Sequence, residues 1–310
     1  MRKDIDLLCI GDAVLDIYLD IDSFPLKADK AVSSGSASFV PGGMCTVAIT
    51  ASRMGLRTAL FDFLGKDPAG SLLLSVLRKE GVCTGGVVSS SGRHTAICAV
   101  LVSRKKEHTF VGYGGSGVHS QLLSRRLQAV LPGTRAIFFD GYFISQAVKI
   151  AGMMRSILEQ CRKTGVTVAF DPGPLIDTIP DPGFFLTNSD IVFVNEVEHR
   201  FLRRFKSVHS SGAKGNLIVV KTGERGAYAT DGNVSVRVPG VKARRLENTV
   251  GAGDAFDGAF MWAHLGGMDL EDSLNAGNIV ASRKVSSPGL SGIPSGKEVT
   301  REMRRKHSRR

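Results

Sequence analysis

One segment of the chain places a glycine-rich turn directly before a carboxylate and an apolar, helix-forming run. Residues 248–258 read NTVGAGDAFDG, so Gly251-Ala252-Gly253 precedes Asp254. A helix that begins at such a turn leaves backbone N–H groups unpaired at its positive end, which makes an anion site. We expect this field to keep Asp254 ionised, able to take a proton from a hydroxyl beside a phosphate. The segment fits phosphoryl transfer to an alcohol, and equally an ordinary helix start with an acid in its first turn.

The size and composition of the chain indicate a large α/β protein. Its 310 residues are 43% hydrophobic and include 36 glycines, and its apolar runs have the length of strands, so no membrane span is expected. The five cysteines form no CxxC pair, which argues against a disulfide framework or a zinc site. We recognise no signal or transit peptide and predict a cytoplasmic location.

Much of the net charge of +11 lies near the C-terminus. Residues 301–310 carry six lysines and arginines against one glutamate, and we interpret them as a solvated basic tail after a domain spanning 1–300. Anionic substrates would explain the remaining positive charge, so a nucleic-acid partner is not expected.

Strand-length apolar runs alternate with helix-length segments along most of the chain. This alternation predicts a doubly wound, mostly parallel central sheet with helices on both faces and a ligand site beyond the strand ends. The predicted strands are 7–10, 58–64, 136–140, 166–171, 191–194 and 217–220, and the predicted helices include 47–54, 71–79 and 147–162. The residues where these strands meet their loops are polar: Asp12, Asp140, Asp171, Asn195 and Lys221-Thr222-Gly223.

Two early segments, 31–40 and 95–113, lack helical periodicity and interrupt this alternation. Their composition predicts extended strands, and we expect them to form a small β-sheet lid inserted into the domain. Residues 112–117 read GYGGSG and match GxGxxG. Because this match follows the irregular region and not the first buried strand, a dinucleotide site is not favoured.

Two further turns have both a structural and a functional interpretation. Asn195-Glu196-Val197-Glu198 follows a predicted strand and has the form of a helix capping box. The turn from Lys221 to Gly226 is typical of a hairpin between 217–221 and 227–230. Taken alone, each of these turns is explained by local structure.

In order, these segments resemble the ribokinase-like (PfkB) carbohydrate kinase family over nearly the whole chain. The matching segments are GDAVLD at 11–16, PGG at 41–43, NEVE at 195–198, KTGERG at 221–226 and NTVGAGD at 248–254, with Asn278 downstream. The resemblance implies an ATP-dependent, Mg²⁺-requiring enzyme that phosphorylates a hydroxyl of a small sugar or polyol.

The resemblance also implies roles for individual residues. Asp254 is the base, and the N–H groups of Gly251, Ala252 and Gly253 hold the phosphoryl group. The acceptor-binding residues are Asp12, Asp16, Gly42, Gly43, Thr46, Phe110 and Asp254. The nucleotide-binding residues are Asn195, Lys221, Thr222, Gly223, Gly226, Thr249, Gly253 and Asn278. Asn195 and Glu198 place Mg²⁺, through water. Thr46 lies near the position of a sugar-binding Asn of the family, which argues against ribose as the acceptor.

Two other functions stay open. A nucleoside kinase of the same family would use the same chemistry, with Phe110 or Tyr113 stacking on the base. An inactive family member would act as a binding protein, although the retained Asp254 and intact Gly-Ala-Gly argue against it.

The lid also suggests self-association. A small isolated β-layer is marginal in water, and pairing with a second copy would cover its edges and one apolar face. The apolar residues with no evident core of their own are Val32, Phe39, Ile97, Val100, Val102 and Phe110. Lids of the family often clasp in this way, and we therefore expect a homodimer.

Asn248 stands where the family signature has an aspartate that helps to hold a monovalent cation. A neutral amide binds K⁺ less well, so we predict weak potassium dependence. Turnover measured at fixed ionic strength should change little between sodium, potassium and choline chloride. Strong activation by potassium would contradict this prediction.

Overall fold

The computed structural model describes residues 4–28, 31–115, 120–202, 204–205 and 216–307. Its strands are β1 (Ile5–Ile10), β2 (Ala13–Ile21), β3 (Ala37–Gly43), β4 (Thr58–Phe61), β5 (Phe63–Gly65), β6 (Val88–Ser90), β7 (Ala96–Ser103), β8 (His108–Tyr113), β9 (Thr134–Asp140), β10 (Thr167–Asp171), β11 (Ile191–Asn195), β12 (Leu217–Lys221), β13 (Ala227–Thr230) and β14 (Ser235–Val238). Its α-helices are α1 (Met44–Met54), α2 (Pro68–Lys79), α3 (Ser120–Val130), α4 (Gly141–Ser145), α5 (Val148–Thr164), α6 (Pro182–Thr187), α7 (Glu196–Leu202), α8 (Ala252–Leu265), α9 (Leu270–Val285) and α10 (Gly296–His307).

Eight strands form the central sheet, in the order β14-β13-β12-β11-β10-β9-β1-β4. All neighbours from β12 to β4 pair in parallel, and β13 and β14 add an antiparallel edge. The arrangement confirms the predicted doubly wound, mostly parallel sheet. Because the parallel strands point the same way, their polar C-terminal residues meet at one edge of the sheet.

Helices cover both faces of this sheet. Leu7 and Cys9 of β1 pack into the core that contains α1, α8 and α9, while the alternate residues Leu8 and Ile10 pack into the core with α3 and α5. A strand buried on both faces in this way reads as a continuous apolar run, which is why the sequence pattern identified it. In the part of the chain described, no helix combines the length and apolar character needed to cross a membrane.

The predicted strand 58–64 is two strands in the structure. β4 belongs to the central sheet, whereas β5 pairs with β6 in a separate two-stranded ribbon. The break falls at Asp62, whose carboxylate accepts a hydrogen bond of 2.7 Å from the Ala13 N–H. A buried carboxylate that pairs with a neighbouring segment in this way interrupts the apolar run at that point.

A four-stranded sheet, in the order β3-β2-β7-β8, forms a separate layer that we call the small sheet. The predicted lid segments 31–40 and 95–113 contain β3, β7 and β8, but the structure corrects two boundaries. Residues 31–36 lie outside any strand, and β2 (residues 13–21), which the sequence interpretation left out, is a central strand. The resemblance implies that residues 11–16 end a first strand and form a substrate-hydroxyl loop, whereas in the structure Asp16 lies within β2.

The two faces of the small sheet differ in exposure. Residues in register share a face, and one row runs Phe39–Ile17–Ala99–Val111 across all four strands. Phe39 is 59% exposed and Val111 is 65% exposed. Val100 lies on the opposite face and is 0% exposed, and Val102 is buried as well. The expectation that Val100 and Val102 lack a core to cover was therefore wrong.

The basic C-terminal segment is also corrected. α10 continues to His307 without a break, so the predicted boundary at residue 301 falls inside a helix. Met303 packs into the core, and Glu302 accepts a 2.6 Å hydrogen bond from the Arg283 guanidinium. One turn of this segment is thus anchored by an apolar side chain, a signal masked by the surrounding charges. Residues 308–310 lie outside the described residues.

Candidate active site

A cavity of about 830 Å³ lies between the C-terminal edge of the central sheet and the small sheet. It brings together most residues predicted for the site: Asp12, Asp16, Gly42, Gly43, Thr46, Phe110, Asn195, Glu198, Lys221, Gly223, Gly251, Gly253 and Asp254. These residues come from both halves of the chain, so the site exists only in the folded protein. Five predicted residues do not line this cavity: Thr222, Gly226, Thr249, Ala252 and Asn278.

The turn before α8 lies at the wall of the cavity and leaves some of its N–H groups unpaired. Gly251 caps the helix with a φ of 73°, a left-handed conformation that glycine adopts without strain. The Ala252 N–H donates to the Thr249 carbonyl at 3.2 Å, and the Ala255 N–H to the Gly251 carbonyl at 3.0 Å. The N–H groups of Gly251 and Gly253 have no protein acceptor among the described residues, so these two are available to an anion in this conformation.

Asp254 follows these amides in the first turn of α8 and faces the cavity. Burial raises the pKa of Asp254 to about 6, while Lys221 and Lys284 oppose the shift and Asp171 adds to it. The expectation that the helix field keeps Asp254 ionised therefore holds above about pH 6 only. A carboxylate with a raised pKa that is still ionised at neutral pH is a stronger base than a solvated aspartate.

Lys221 is held between two carboxylates and is not a free ammonium group. Its Nζ donates to Asp171 Oδ2 at 2.8 Å and to both carboxylate oxygens of Asp257 at 2.9 and 3.1 Å. Burial lowers the pKa of Lys221, but the two carboxylates outweigh it and raise the pKa above its ordinary value. A Cβ added to Gly253 would lie 3.4 Å from this ammonium group, so Lys221 places a permanent positive charge beside the Gly253 N–H.

The glycine pair of β3 lets two carboxylates lie against the backbone. A Cβ on Gly42 would lie 2.2 Å from Asp16 Oδ2, and a Cβ on Gly43 would lie 2.3 Å from Asp12 Oδ2. Any side chain at either position would displace the aspartate. Thr46, one turn into α1, donates its hydroxyl to the Pro41 carbonyl at 3.2 Å and is buried.

Four carboxyl groups crowd one end of the cavity and a smaller adjoining pocket. Burial raises the pKa of Asp140 to about 8 and that of Asp62 to about 7. Burial and nearby acids also raise the pKa of Asp12, which shares a hydrogen bond with Asp140, and burial and Asp254 raise that of Asp16 to about 7. Near neutral pH such a cluster holds protons, so it can both donate to and accept from hydroxyl groups.

Asn195 and Glu198 form an interlocked capping box at the start of α7. Asn195 Oδ1 accepts from the N–H groups of Val197 and Glu198 at 2.8 and 3.0 Å. The Glu198 carboxylate accepts from the N–H and the side-chain amide of Asn195 at 2.8 and 2.7 Å. The local structural interpretation is thus confirmed, and Glu198 still faces the cavity.

The donor set around Glu198 bears on the predicted Mg²⁺. Within the described ranges, no three His, Cys, Asp or Glu side chains are close enough to enclose a metal ion. A hard cation there would take oxygen from water molecules held by Glu198 and from nucleotide phosphates, which is the kind of coordination that Mg²⁺ prefers. The residues present fit a water-mediated magnesium site.

The residues outside the cavity support its walls. The Thr222 hydroxyl donates to the Gly226 carbonyl at 2.8 Å and closes the β12–β13 turn. Gly226 has a φ of 100°, and a Cβ there would lie 2.2 Å from the Val238 carbonyl oxygen. The Asn278 side-chain amide donates to the Pro239 carbonyl at 3.2 Å, which ties α9 to the segment after β14.

Comparison with known proteins identifies the family. The family model described as pfkB family carbohydrate kinase matches residues 4–295. The chain belongs to this family. Fructokinase-1 of Zea mays is 31% identical over 258 residues, which cover 78% of this chain and 79% of that protein. As a pfkB family member the chain is a kinase, and the interpretation as a dinucleotide-binding protein falls away.

Two solved structures show the same fold at low sequence identity. The Arabidopsis thaliana ribokinase complexed with ribose and ATP has a TM-score of 0.77 and 21% identity, covering 97% of this chain and 98% of that one. The Burkholderia thailandensis nucleoside kinase in complex with inosine has a TM-score of 0.78 and 15% identity, covering 97% and 96%. Both agree with the large parallel sheet and separate small sheet described above.

Several cavity residues were missed by the sequence interpretation. They are Tyr18, Tyr142, Asp257 and Lys284; Asp62, which was also missed, lines a smaller adjoining pocket that shares Asp12 with this cavity. One of them carried a signal, because Asp257 stands at a buried position of α8 where the neighbouring residues are mostly apolar, whereas Lys284 is flanked by serines and an arginine. A charged residue inside an apolar helix face predicts a buried partner or a site.

Asp62 provides a test of the carboxyl cluster. Its folded-state pKa of about 7 lies above the ordinary 3.8, so its stabilising protonated form is fully present below the unfolded pKa and is lost as pH rises through 7. Asp62→Asn should therefore raise the melting temperature relative to wild type by at least about 2 °C at about pH 8.5, and by less at about pH 5, where only part of this stability has been lost. Thermal unfolding at both pH values, with the exposed Asp177→Asn as control, makes the measurement. An equal effect at the two pH values would contradict it.

Proposed function

We propose that this pfkB family kinase transfers the terminal phosphoryl group of ATP to a hydroxyl of a small sugar or polyol. The observation that carries the proposal is the position of Asp254, which follows the open N–H groups of Gly251 and Gly253 in a cavity that also contains Asp12 and Asp16. A base, an anion site and hydroxyl-binding carboxylates are the parts that such a transfer requires.

The proposed step is a transfer of the terminal phosphoryl group from ATP to an acceptor hydroxyl. Asp12 and Asp16 bind hydroxyls of the acceptor and aim one of them at the turn before α8. Asp254 accepts the proton of that hydroxyl as its oxygen forms a bond to the terminal phosphorus of ATP. The bond between that phosphorus and the bridging oxygen breaks, and ADP leaves. The Gly251 and Gly253 N–H groups and the Lys221 ammonium beside them stabilise the charge on the phosphoryl oxygens.

The nucleotide is proposed to enter beside Gly223, with Asn195 and Glu198 at the phosphate end. Mg²⁺, when bound, neutralises phosphate charge. Glu198 and Asn195 would hold its water ligands, and their capping box fixes both side chains in place. Thr222, Gly226 and Asn278 would act through the walls that they stabilise, since they do not line the cavity.

A nucleoside acceptor is the second candidate, favoured by one observation. Phe110, Tyr113 and Tyr142 all line the cavity and are partly exposed, so an aromatic face is available for a base. The carboxylate cluster favours a polyol, because paired carboxylates bind neighbouring hydroxyls. An ADP-release screen with fructose, ribose, glucitol, inosine and adenosine would discriminate. The proposal expects kcat/KM for the best sugar or polyol to exceed that for the nucleosides by at least about tenfold.

Asp254→Asn tests the base. The substitution keeps the shape of the side chain but removes a proton acceptor, so kcat should fall by about 10²–10⁴-fold. In the wild type, kcat/KM should decline as the pH falls through about 6, since protonated Asp254 cannot act as a base. Steady-state kinetics over the pH range and a circular dichroism check of the variant make the test. Near wild-type turnover in the folded variant would refute the assignment.

We also propose that the chain is a homodimer through the exposed face of the small sheet. The row of Phe39, Ile17, Ala99 and Val111 is apolar and crosses all four strands. Pairing with a second copy would cover this face.

Val111→Asp combined with Phe39→Asp should shift the protein toward monomer in sedimentation experiments, with little loss of thermal stability. Val100→Asp combined with Val102→Asp is the matched control: it places the same two charges on the buried face and should lower the melting temperature by several degrees. A wild-type protein that is monomeric at micromolar concentration and fully active would contradict the dimer.

A further inference from the structure

A buried lysine lies behind the turn that forms the anion site. Lys284, in the last turn of α9, is only 2% exposed, and lysine is rarely so buried without a partner. Its Nζ donates to the Val250 carbonyl at 2.7 Å. A Cβ placed on Gly251 would lie 3.6 Å from Lys284 Cε and 3.8 Å from Nζ. The ammonium group thus lies next to Gly251, the glycine that caps α8.

Lys284 makes no ion pair within 4 Å to any acid in the described part of the chain, in contrast to Lys221. The negative charges of Asp254 and Asp16 raise the pKa of Lys284 and so oppose the lowering of that pKa by burial. Lys284 lines the same cavity as these two carboxylates. A desolvated positive charge without a contacting counter-ion is costly in a fold, and here the charge faces the place where a phosphoryl group is proposed to sit.

The segment before the turn is also fastened to this end of α9. The N–H groups of Glu247 and Asn248 donate to the Val285 carbonyl at 2.8 and 3.3 Å. Asn248 Oδ1 in turn accepts from the Val250 N–H at 2.8 Å. Lys284 completes the arrangement by binding the carbonyl of Val250. The peptide that leads into Gly251 is therefore oriented by an ammonium group, with its carbonyl turned to α9.

We propose that Lys284 is a positioning residue that acts as a built-in cation of the phosphoryl-transfer site. Its ammonium group holds the Val250 carbonyl and so orients the Gly251 N–H, and its charge adds to the attraction for the phosphoryl group. An ammonium group resembles K⁺ in charge and size, so a covalently attached one supplies what a bound monovalent cation would supply. This inference rests on the proposed function, because it assigns Lys284 to the same transfer.

The test uses a neutral variant of similar length and a truncated one. Lys284→Met fills the space without the charge, and kcat should fall by at least about 100-fold while KM for the acceptor stays within about threefold. Lys284→Ala leaves room for a small cation. Its turnover should recover at least about tenfold in about 100 mM ammonium or potassium chloride relative to tetramethylammonium chloride at equal ionic strength. Wild type and Lys284→Met should not respond.

Two results of these turnover measurements would overturn the proposal. One is a folded Lys284→Met whose kcat lies within about threefold of wild type. The other is a loss in both variants with no recovery of Lys284→Ala in ammonium, which would show that the side chain acts by packing and not by charge.

If Lys284→Ala does not fold, the pH profile of Lys284→Met decides. Besides Lys284, the charged groups around Asp254 are Lys221, Asp171, Asp12, Asp16 and Asp140. Because Lys284 lowers the pKa of Asp254, its removal should move the acid limb of the profile to higher pH. An unmoved limb would overturn the proposal.

A binding measurement separates this inference from the proposed function. If wild type phosphorylates none of the acceptors, the proposed function fails and the role of Lys284 is read from calorimetry instead. Lys284→Met should then weaken binding of the non-hydrolysable ATP analogue AMP-PNP, which carries a third phosphate, more than it weakens binding of ADP. If Lys284→Met weakens the binding of AMP-PNP and of ADP equally, the role proposed for Lys284 is overturned, and this result does not depend on the proposed function.

Discussion

The site depends on one buried ionic contact, in which Lys221 binds Asp171 and Asp257. These three side chains come from the ends of β12 and β10 and from the first turns of α8, so a single ammonium group fastens two strand ends to the helix that carries the anion site. Asp257 is only 1% exposed. Removal of one partner from such a group leaves an uncompensated buried charge, at a cost of about 3–5 kcal/mol. The orientation of α8 toward the cavity is therefore tied to this contact.

Charge is distributed unevenly within the cavity. The acceptor end gathers carboxyl groups whose pKa values are raised by burial and by one another, whereas Lys221 and Lys284 lie at the turn before α8. A neutral, hydroxyl-rich molecule suits the first region, because protonated and ionised carboxyl groups together donate and accept. A phosphoryl group suits the second. In the proposed reaction, this division would place the acceptor at the first region and the phosphoryl group at the second.

Backbone geometry provides the close contacts that this division requires. Gly42 and Gly43 allow Asp16 and Asp12 to lie against the end of β3 at distances that exclude any Cβ. The small sheet contributes Asp16 from its inner face, while its outer face remains apolar and exposed. One strand, β2, thus lines the cavity on one side and contributes to the exposed apolar face on the other, because side chains alternate along a strand.

The parallel sheet, most of its helices and the residues at its C-terminal edge could be predicted from the sequence. Apolar runs of strand length, glycines after helices and the Gly-Ala-Gly-Asp segment are local patterns, and local patterns are visible in a chain without its fold. Asp12, Asn195 and Asp254 could be placed at the site in this way, whereas Asp16 was placed there only by the resemblance of its segment to a known family. The resemblance of the motifs to a known family added roles to those positions.

The contacts between charged side chains and the burial of individual apolar residues could be seen only in the tertiary structure. Lys221 contacts acids 36 and 50 residues away, and Lys284 reaches a carbonyl 34 residues away. The burial of Val100, the place of β2 in the small sheet and the helical anchoring of the C-terminal segment by Met303 follow from packing between distant elements. The pKa of Asp254 likewise depends on burial and on three distant charges. Such contacts depend on which distant segments of the chain pack against each other. Local sequence patterns do not contain that information.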